Sequence, residues 1–563
     1  MSVLRMSQWS SARAVAALLG LVLIGTGVLG FVGASSARAA GTAHSPLVGS
    51  GSTWSANALQ AWIRNVWANY QWKITYSESG STQGRNDFGN GTSDFGVSEI
   101  PYGIANSNET DARPARPFAY MPIVAGGTAF MYNLEIGGHR VTNLRLSGET
   151  IAKIFTGTVT RWDDALIKAD NPELALPSIP IVPVVRSDGS GATAQVSIWL
   201  RQEHAAEWDA YCPKVGRGLI NGHCGVTSNY PVVPGTGFVA RSGSNGVAGY
   251  VAQDHAVGAI TFVEYSYALN SGFPVAKVLN SSGYYTEPTA QNVAVALLSA
   301  RINEDSGSPD YLTQDLSGVY TSPDPRTYPL SSYSYSILPT QMGSGFTEDK
   351  GLTLADFGAY FLCEGQQSAE VLGYSPLPIN LVLAGQKQIQ KIPGGDPVIK
   401  GINDCNNPTF SPDGSNKLAN EAPQPAACDK KGATQCTVGT GGAKDTPTTA
   451  MGGGAAAAGG TASAGGTATG GATGDAAGSA GTGTSGGGGI ASVIDADASP
   501  VIVAATPQSI PPAGVGVLPS VAMLGAGGGL LAFAALPPLL GKRGRKTLFP
   551  TPTRGSPSST PKD

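Results

Sequence analysis

Charge is scarce in this chain. Charged residues make up 13% of its 563 positions, and 35 Lys+Arg against 39 Asp+Glu leave a formal net charge of −4. A sequence pI near 5.8 argues against a globally basic nucleic-acid binder. The histidines (His44, His139, His204, His223 and His255) do not cluster, and no C-x-x-C occurs, so a zinc site has no sequence support. Six cysteines are too few for a small disulfide-framed scaffold. There is no G-x-x-x-x-G-K-[ST] nucleotide loop, no G-x-S-x-G elbow and no histidine placed by sequence for catalysis. The expectation is therefore a protein that is not an enzyme and needs no cofactor. What is abundant is glycine (77), proline (39) and a hydrophobic fraction of 41%, which supports a real core and excludes wholesale disorder. The length allows several domains, at roughly 100–200 residues each.

The small net charge hides a segregation. Residues 1–40 carry Arg5, Arg13 and Arg38 and no acid. Residues 542–563 carry six bases against Asp563, which leaves an acidic middle. At the N-terminus the bases precede an apolar run over 14–32 and an A-x-A pattern at Ala37-Arg38-Ala39. This is the logic of a secretory signal peptide over 1–39; the alternative is an uncleaved membrane helix. At the other end, 515–541 is uncharged and is followed at once by Lys542-Arg543-Gly544-Arg545-Lys546. The expectation is a transmembrane anchor over 515–541 with a basic cytoplasmic tail over 542–563. Between them, 437–512 is dominated by Gly, Ala, Thr and Ser, a composition that cannot offset ordering entropy. It reads as a flexible tether with a reach of roughly 50 Å. The whole is expected to be exported and held at the cell surface, anchored in the plasma membrane.

All six cysteines fall in the exported part, and an even count in an oxidising compartment points to disulfides. Proximity favours Cys212–Cys224, Cys363–Cys405 and Cys428–Cys436 over many other pairings, with the last three cysteines in a 401–436 extension.

Within the folded part, short β-like runs alternate with helical ones. A helical stripe of apolar residues runs through 54–70 at positions 58, 59, 62, 63, 66, 67 and 70. Strand-like runs occupy 73–76, 95–97, 179–185 and 259–262. The alternation predicts an α/β architecture with mostly parallel pairing. A second regularity bears on function. A strand ends in a Gly/Ser/Thr loop that opens a helix at 49–53, 79–83, 186–193 and, more weakly, 242–246. Each helix start offers unpaired N–H groups and a positive dipole end, so the set predicts an anion site. The bland alternative is that each hydroxyl is only an N-cap. Arg186 separates the readings, because its planar fork suits an oxyanion and Asp188 can orient it.

These residues resemble the phosphate-binding proteins of bacterial phosphate ABC transporters. The resemblance is carried by GSGSTWSANALQAW (49–62), ITYSESGSTQG (74–84), SDFGVSEIP (93–101), LSGETIAKIFTGTVTRWDDALI (146–167), PIVPVVRSDGSGATAQVSIWL (180–200), GYVAQDHAVGAITFVEYSYA (249–268) and EGQQSAEVLGYSPLP (364–378). It implies a two-lobed periplasmic-binding-protein fold of type II, with two hinge strands and the ligand cleft between lobes. One lobe would hold 45–120 plus 268–400, the other 121–267. The implied ligand is inorganic phosphate and the implied partner a membrane permease, with no nucleic acid. By the same resemblance Thr53 donates its hydroxyl and Thr53 and Trp54 their N–H groups. Ser81 donates from the second loop, Arg186 supplies the charge oriented by Asp188, and Ser190 and Gly191 bind at the third helix start. Two positions depart from the family pattern. Glu99 stands where the family has an aspartate that accepts a hydrogen bond from a protonated oxygen of the ligand, and Ala192 replaces a frequent threonine. Both bear on specificity, so the alternatives are another oxyanion or phosphorus compound, or a surface-displayed interaction protein.

Overall fold

The computed structural model describes residues 44–109, 112–395, 405–411 and 413–448. The signal peptide, the transmembrane anchor, the basic tail and most of the tether expected above lie outside the described residues. Among the described residues no helix is long and apolar enough to cross a membrane.

Helix α1 (Ala56–Tyr70) follows strand β1 (Leu47–Gly51) and shows how the pattern becomes structure. Ala58, Leu59, Trp62 and Val66 are buried, whereas Trp67 and Tyr70 at the end of the same stripe are 46% and 44% exposed. Each large side chain buried there contributes about 1.5–3 kcal/mol. Strands β2 (Ile74–Ser77) and β3 (Phe95–Ser98) flank β1 in parallel, with helix α2 (Ser81–Gly89) between them in sequence.

Strand β4 (Phe118–Tyr132) joins the two halves of the molecule. Its residues 118–127 pair antiparallel with β11 (Ser331–Pro339), which in turn pairs with β3. From Thr128 onward it pairs instead with β8 (Ala259–Glu264). Strand β8 continues in parallel to β6 (Val182–Arg186), and β6 to β7 (Val239–Arg241). The switch falls at Gly127–Thr128, so one long strand serves two sheets. Each half has its own apolar core. Leu59, Trp62, Phe95, Phe357 and Phe361 belong to the first. Ile151, Phe155, Trp162, Val185 and Trp208 belong to the second. This is the expected α/β, two-lobed architecture, but the pairing is not mostly parallel as expected: the long strands β4 and β11 pair antiparallel with their neighbours, because they cross between or close the parallel βαβ units.

Two boundaries differ from the sequence expectation. The second lobe does not end at 267. Strand β9 (Val275–Leu279) pairs with β4 and with β5 (Arg145–Leu146), and Leu316, Val319, Tyr328 and Leu330 join the second core. The reason is burial: Val275, Ala276 and Val278 are all inaccessible and need the second sheet to cover them. The tether expected from 437 is also packed at its start. Thr440 is buried, and its hydroxyl lies 3.0 Å from Thr142 O and against Val275 O. Gly441 and Gly442 let that backbone lie close to Phe273, where a Cβ would collide with it. Composition missed this because the contacts are made by backbone and hydroxyls. The three favoured disulfides are all present.

Candidate functional site

The loop that closes β1 sets the first wall. Gly51 has φ 135°, and a Cβ there would lie 2.2 Å from Val97 O. A Cβ on Gly84 would meet Gly51 Cα at 2.3 Å, so glycine at both positions lets α2 seat against the loop. Ser52 Oγ accepts from the N–H of Trp54 at 3.0 Å and of Ser55 at 3.3 Å. The Trp54 N–H expected to face a ligand thus already has an intraloop partner. Tyr76 and Tyr267 donate to the carbonyls of Ser52 and Thr53, which fixes the loop from both lobes.

The second wall is the start of helix α3 (Gly191–Glu203), capped by Ser190, whose Oγ accepts from Thr193 N–H at 3.3 Å. Just before it, at the end of β6, Arg186 is 3% exposed. Its guanidinium is bidentate on Asp188, with Nε donating to Oδ1 at 2.8 Å and Nη2 to Oδ2. Its Nη1 donates to Ser244 Oγ at 3.3 Å. Burial alone would raise the Asp188 carboxyl. The Arg186 hydrogen bonds and charge, with the Gly243 N–H, outweigh it and hold Asp188 below its ordinary value.

The lobes meet at these walls. Thr53 Oγ1 and Ser244 Oγ are 2.8 Å apart, and Ser244 N–H donates to Thr53 Oγ1 at 3.2 Å. Ser244 opens helix α4 (Gly243–Val251), the fourth and weakest of the expected loop–helix units. Gly191 N–H donates to Ser81 Oγ at 3.1 Å. A Cβ on Gly80 would lie 2.7 Å from Asp188 Oδ2, and one on Gly191 would lie 2.0 Å from Glu99 Oε2. Only glycine allows that approach.

Glu99 is 1% exposed and sits at the junction. Ser81 Oγ donates to its Oε2 at 2.7 Å, Ser334 Oγ to its Oε1 at 2.8 Å, and Ser52 Oγ also to Oε1. Gln195 Nε2, from the second lobe, donates to the Glu99 carbonyl at 2.8 Å. Ala192 is 2% exposed and packs among first-lobe residues across the junction. The neighbouring Thr193 Oγ1 is buried and has no hydrogen-bond partner.

All nine residues singled out from sequence lie on the two facing walls or pack at their junction. Sequence reasoning missed Ser52, Gln195, Ser244 and Ser334. Ser52 and Ser244 lie inside the Gly/Ser/Thr loops already identified, so their hydroxyls were open to view. Ser334 carries no local signal, since it is a strand residue 235 positions from Glu99. Chemically the junction is a dry concentration of hydroxyls, two helix N-termini and one buried guanidinium, a setting that favours a small anion. Among the described residues no group of three or more His, Cys, Asp or Glu could hold a metal ion.

Comparison with known proteins places this junction in context. A family model described as a PBP superfamily domain matches residues 33–364. The phosphate-binding protein PstS of Methanocaldococcus jannaschii is 28% identical over 348 residues, covering 61% of this chain and 85% of that protein. PstS of Xylella fastidiosa (strain Temecula1) is 32% identical over 345 residues, covering 61% and 83%. Among solved structures, a phosphate binding protein from Stenotrophomonas maltophilia covers 61% of this chain and 93% of its own, at 16% identity and a TM-score of 0.44.

Proposed function

From the premise that this chain belongs to the PBP superfamily, in the family of the phosphate-binding proteins PstS, we propose that it captures inorganic phosphate and delivers it to an ABC importer. The observation that carries the reading is the lobe junction. Arg186 is buried there with Asp188 as its partner, beside the α3 N-terminus and facing Thr53, Ser81 and Glu99. A phosphate ion lodged between the walls takes the hydroxyls of Thr53 and Ser81, the N–H groups of Trp54, Gly191 and Ala192, the Ser190 hydroxyl and the Arg186 fork. Glu99 accepts a hydrogen bond from a protonated oxygen of the ligand. Ser52 releases the Trp54 N–H as the loop adjusts to the ion. Closure then follows the hinge motion usual for two-lobed receptors, about the Gly127–Thr128 crossing.

The same proposal includes export through residues 1–39 and attachment through 515–541. Its support is the basic–apolar–A-x-A order at the start and the uncharged stretch before Lys542-Arg543 at the end. The membrane permease is the partner that receives the ligand.

Calorimetry on the purified protein tests the binding step. Phosphate is expected to bind at micromolar concentration or tighter, and Arg186→Ala to abolish it. A panel with sulfate, a phosphonate and a phosphate ester separates phosphate capture from capture of a related oxyanion. Tight binding of another member with no phosphate heat would replace the ligand and keep the fold.

A further inference from the structure

Glu99 brings two carboxyl oxygens into a site built for anions, and among the described residues no salt bridge reaches it. What surrounds it is a set of hydroxyls. Ser52 and Ser334 both donate to Oε1, and Ser81 donates to Oε2. An ionised carboxylate is an acceptor only, with about four lone-pair positions on its two oxygens. The two serines fill Oε1. Ser81 holds one position on Oε2 until it turns its hydroxyl to the ligand, and the other position is open. Oε2 is the oxygen that lies against Gly191, at the start of α3.

All three donors come from the first lobe: the β1 loop, α2 and β11. The carboxylate is therefore oriented before the second lobe arrives. Ser334 lies beside an irregularity in the ladder between β11 and β4, where Ile123 of β4 is the extra, unpaired residue. The register against β4 slips between Ser334, opposite Val124, and Tyr335, opposite Pro122. Such a bulge bends the strand that carries it and increases the local twist at the pair that holds Ser334. Ser334 is fully buried, and Glu99 is the partner its hydroxyl finds.

Resting on the phosphate-capture reading, we propose that Ser334, with Ser52, is a positioning residue for specificity. The pair saturates one oxygen of Glu99 and turns the other toward the anion, so that the longer side chain offers a single acceptor to the ligand. An oxyanion that brings one acidic O–H satisfies that acceptor. One that brings none, such as sulfate, meets an unpaired carboxylate lone pair across a dry gap and is rejected. The usual acceptor at this position is shorter, and the serine pair lets a glutamate do its work.

The test is a pair of titrations, phosphate and sulfate, on wild-type, Ser334→Ala and Ser334→Thr proteins, each checked for folding by thermal unfolding without ligand. In Ser334→Ala, Oε1 regains a free acceptor and the carboxylate can rotate. Phosphate affinity should fall about tenfold, the effect of one lost hydrogen bond to a charged group, while sulfate affinity holds or rises. The phosphate-to-sulfate ratio should therefore fall at least tenfold, and Ser334→Thr, which keeps the hydroxyl, should restore it. Should Ser334→Ala fold poorly, Ser334→Cys supplies nearly the same shape with only a weak donor and should give the same direction of change. A ratio unchanged in the folded variants, or equal weakening of both ions, overturns the positioning role while leaving phosphate capture intact. A wild-type protein that binds phosphate no better than sulfate overturns the discrimination by Glu99 itself. A wild-type protein that binds neither overturns the phosphate reading and this inference together.

Discussion

Gly191 is the position where closure can be blocked without damaging either lobe. It begins α3, its φ lies outside the left-handed region, and alanine there leaves the backbone unstrained. Alanine is also the better helix former, by about 1 kcal/mol. In the closed arrangement, however, the added methyl would stand 2.0 Å from Glu99 Oε2 and 2.8 Å from Ser81 Oγ. Ordinary carbon–oxygen contact needs more than 3 Å, so the lobes must part by about an ångström or Glu99 must leave its three hydroxyls. Overpacking of this kind costs about 1–3 kcal/mol. Gly191→Ala should thus weaken phosphate binding by roughly 5- to 150-fold, at about 1.4 kcal/mol per factor of ten. Its thermal midpoint without ligand should not fall by more than a degree or two. Calorimetry reads the first quantity and a thermal melt the second. Wild-type affinity in the single variant would refute the claim that Gly191 and Glu99 meet when the ligand is held.

Two further outcomes follow from the packing and the charges. Thr440→Val removes a buried hydroxyl that bridges Thr142 O and Val275 O and accepts from Val275 N–H. It should cost about 1–3 kcal/mol of stability, and denaturant unfolding at unchanged cost would show that 437–448 contributes nothing to the fold. Asp188 is held below its ordinary value in the folded state, so it binds its proton later than in the unfolded chain. Its contribution is present above the unfolded value of about 3.9 and is lost as pH falls below it, toward the folded value. Thermal melts between pH 6 and pH 3 should fall less steeply for Asp188→Asn than for wild type, and parallel profiles would contradict the assignment.

The readable and unreadable parts of the site differ in a physical way. The helix-start loops at 49–53, 79–83 and 186–193 were legible because Gly, Ser and Thr have few reasons to cluster between a strand and a helix except backbone freedom and hydrogen bonding. Asp188 was legible as the partner of Arg186 because the two lie only two positions apart in one loop. Cys212–Cys224 and its counterparts were legible because nearby cysteines close short loops. The Ser52–Glu99–Ser334 set was not, since it joins a loop and two strands far apart in sequence that no local pattern links. The lobe boundary was misplaced for a related reason. Val275, Ala276 and Val278 fit either lobe by composition, and only pairing with β4 and β5 decides. The start of 437–512 was misread because its composition was judged unable to offset ordering entropy, whereas Thr440 and Thr448 bury their hydroxyls on the backbone and side chains of Thr142 and Asn143.

The central claim is that a single oxyanion is held where the two lobes meet, at Arg186 and the start of α3. Titrating phosphate into the purified wild-type protein by calorimetry tests it most directly. The account predicts one site per chain, affinity in the micromolar range or tighter, and complete loss of heat in Arg186→Ala. Absence of heat with wild-type protein, or undiminished binding in Arg186→Ala, would contradict it.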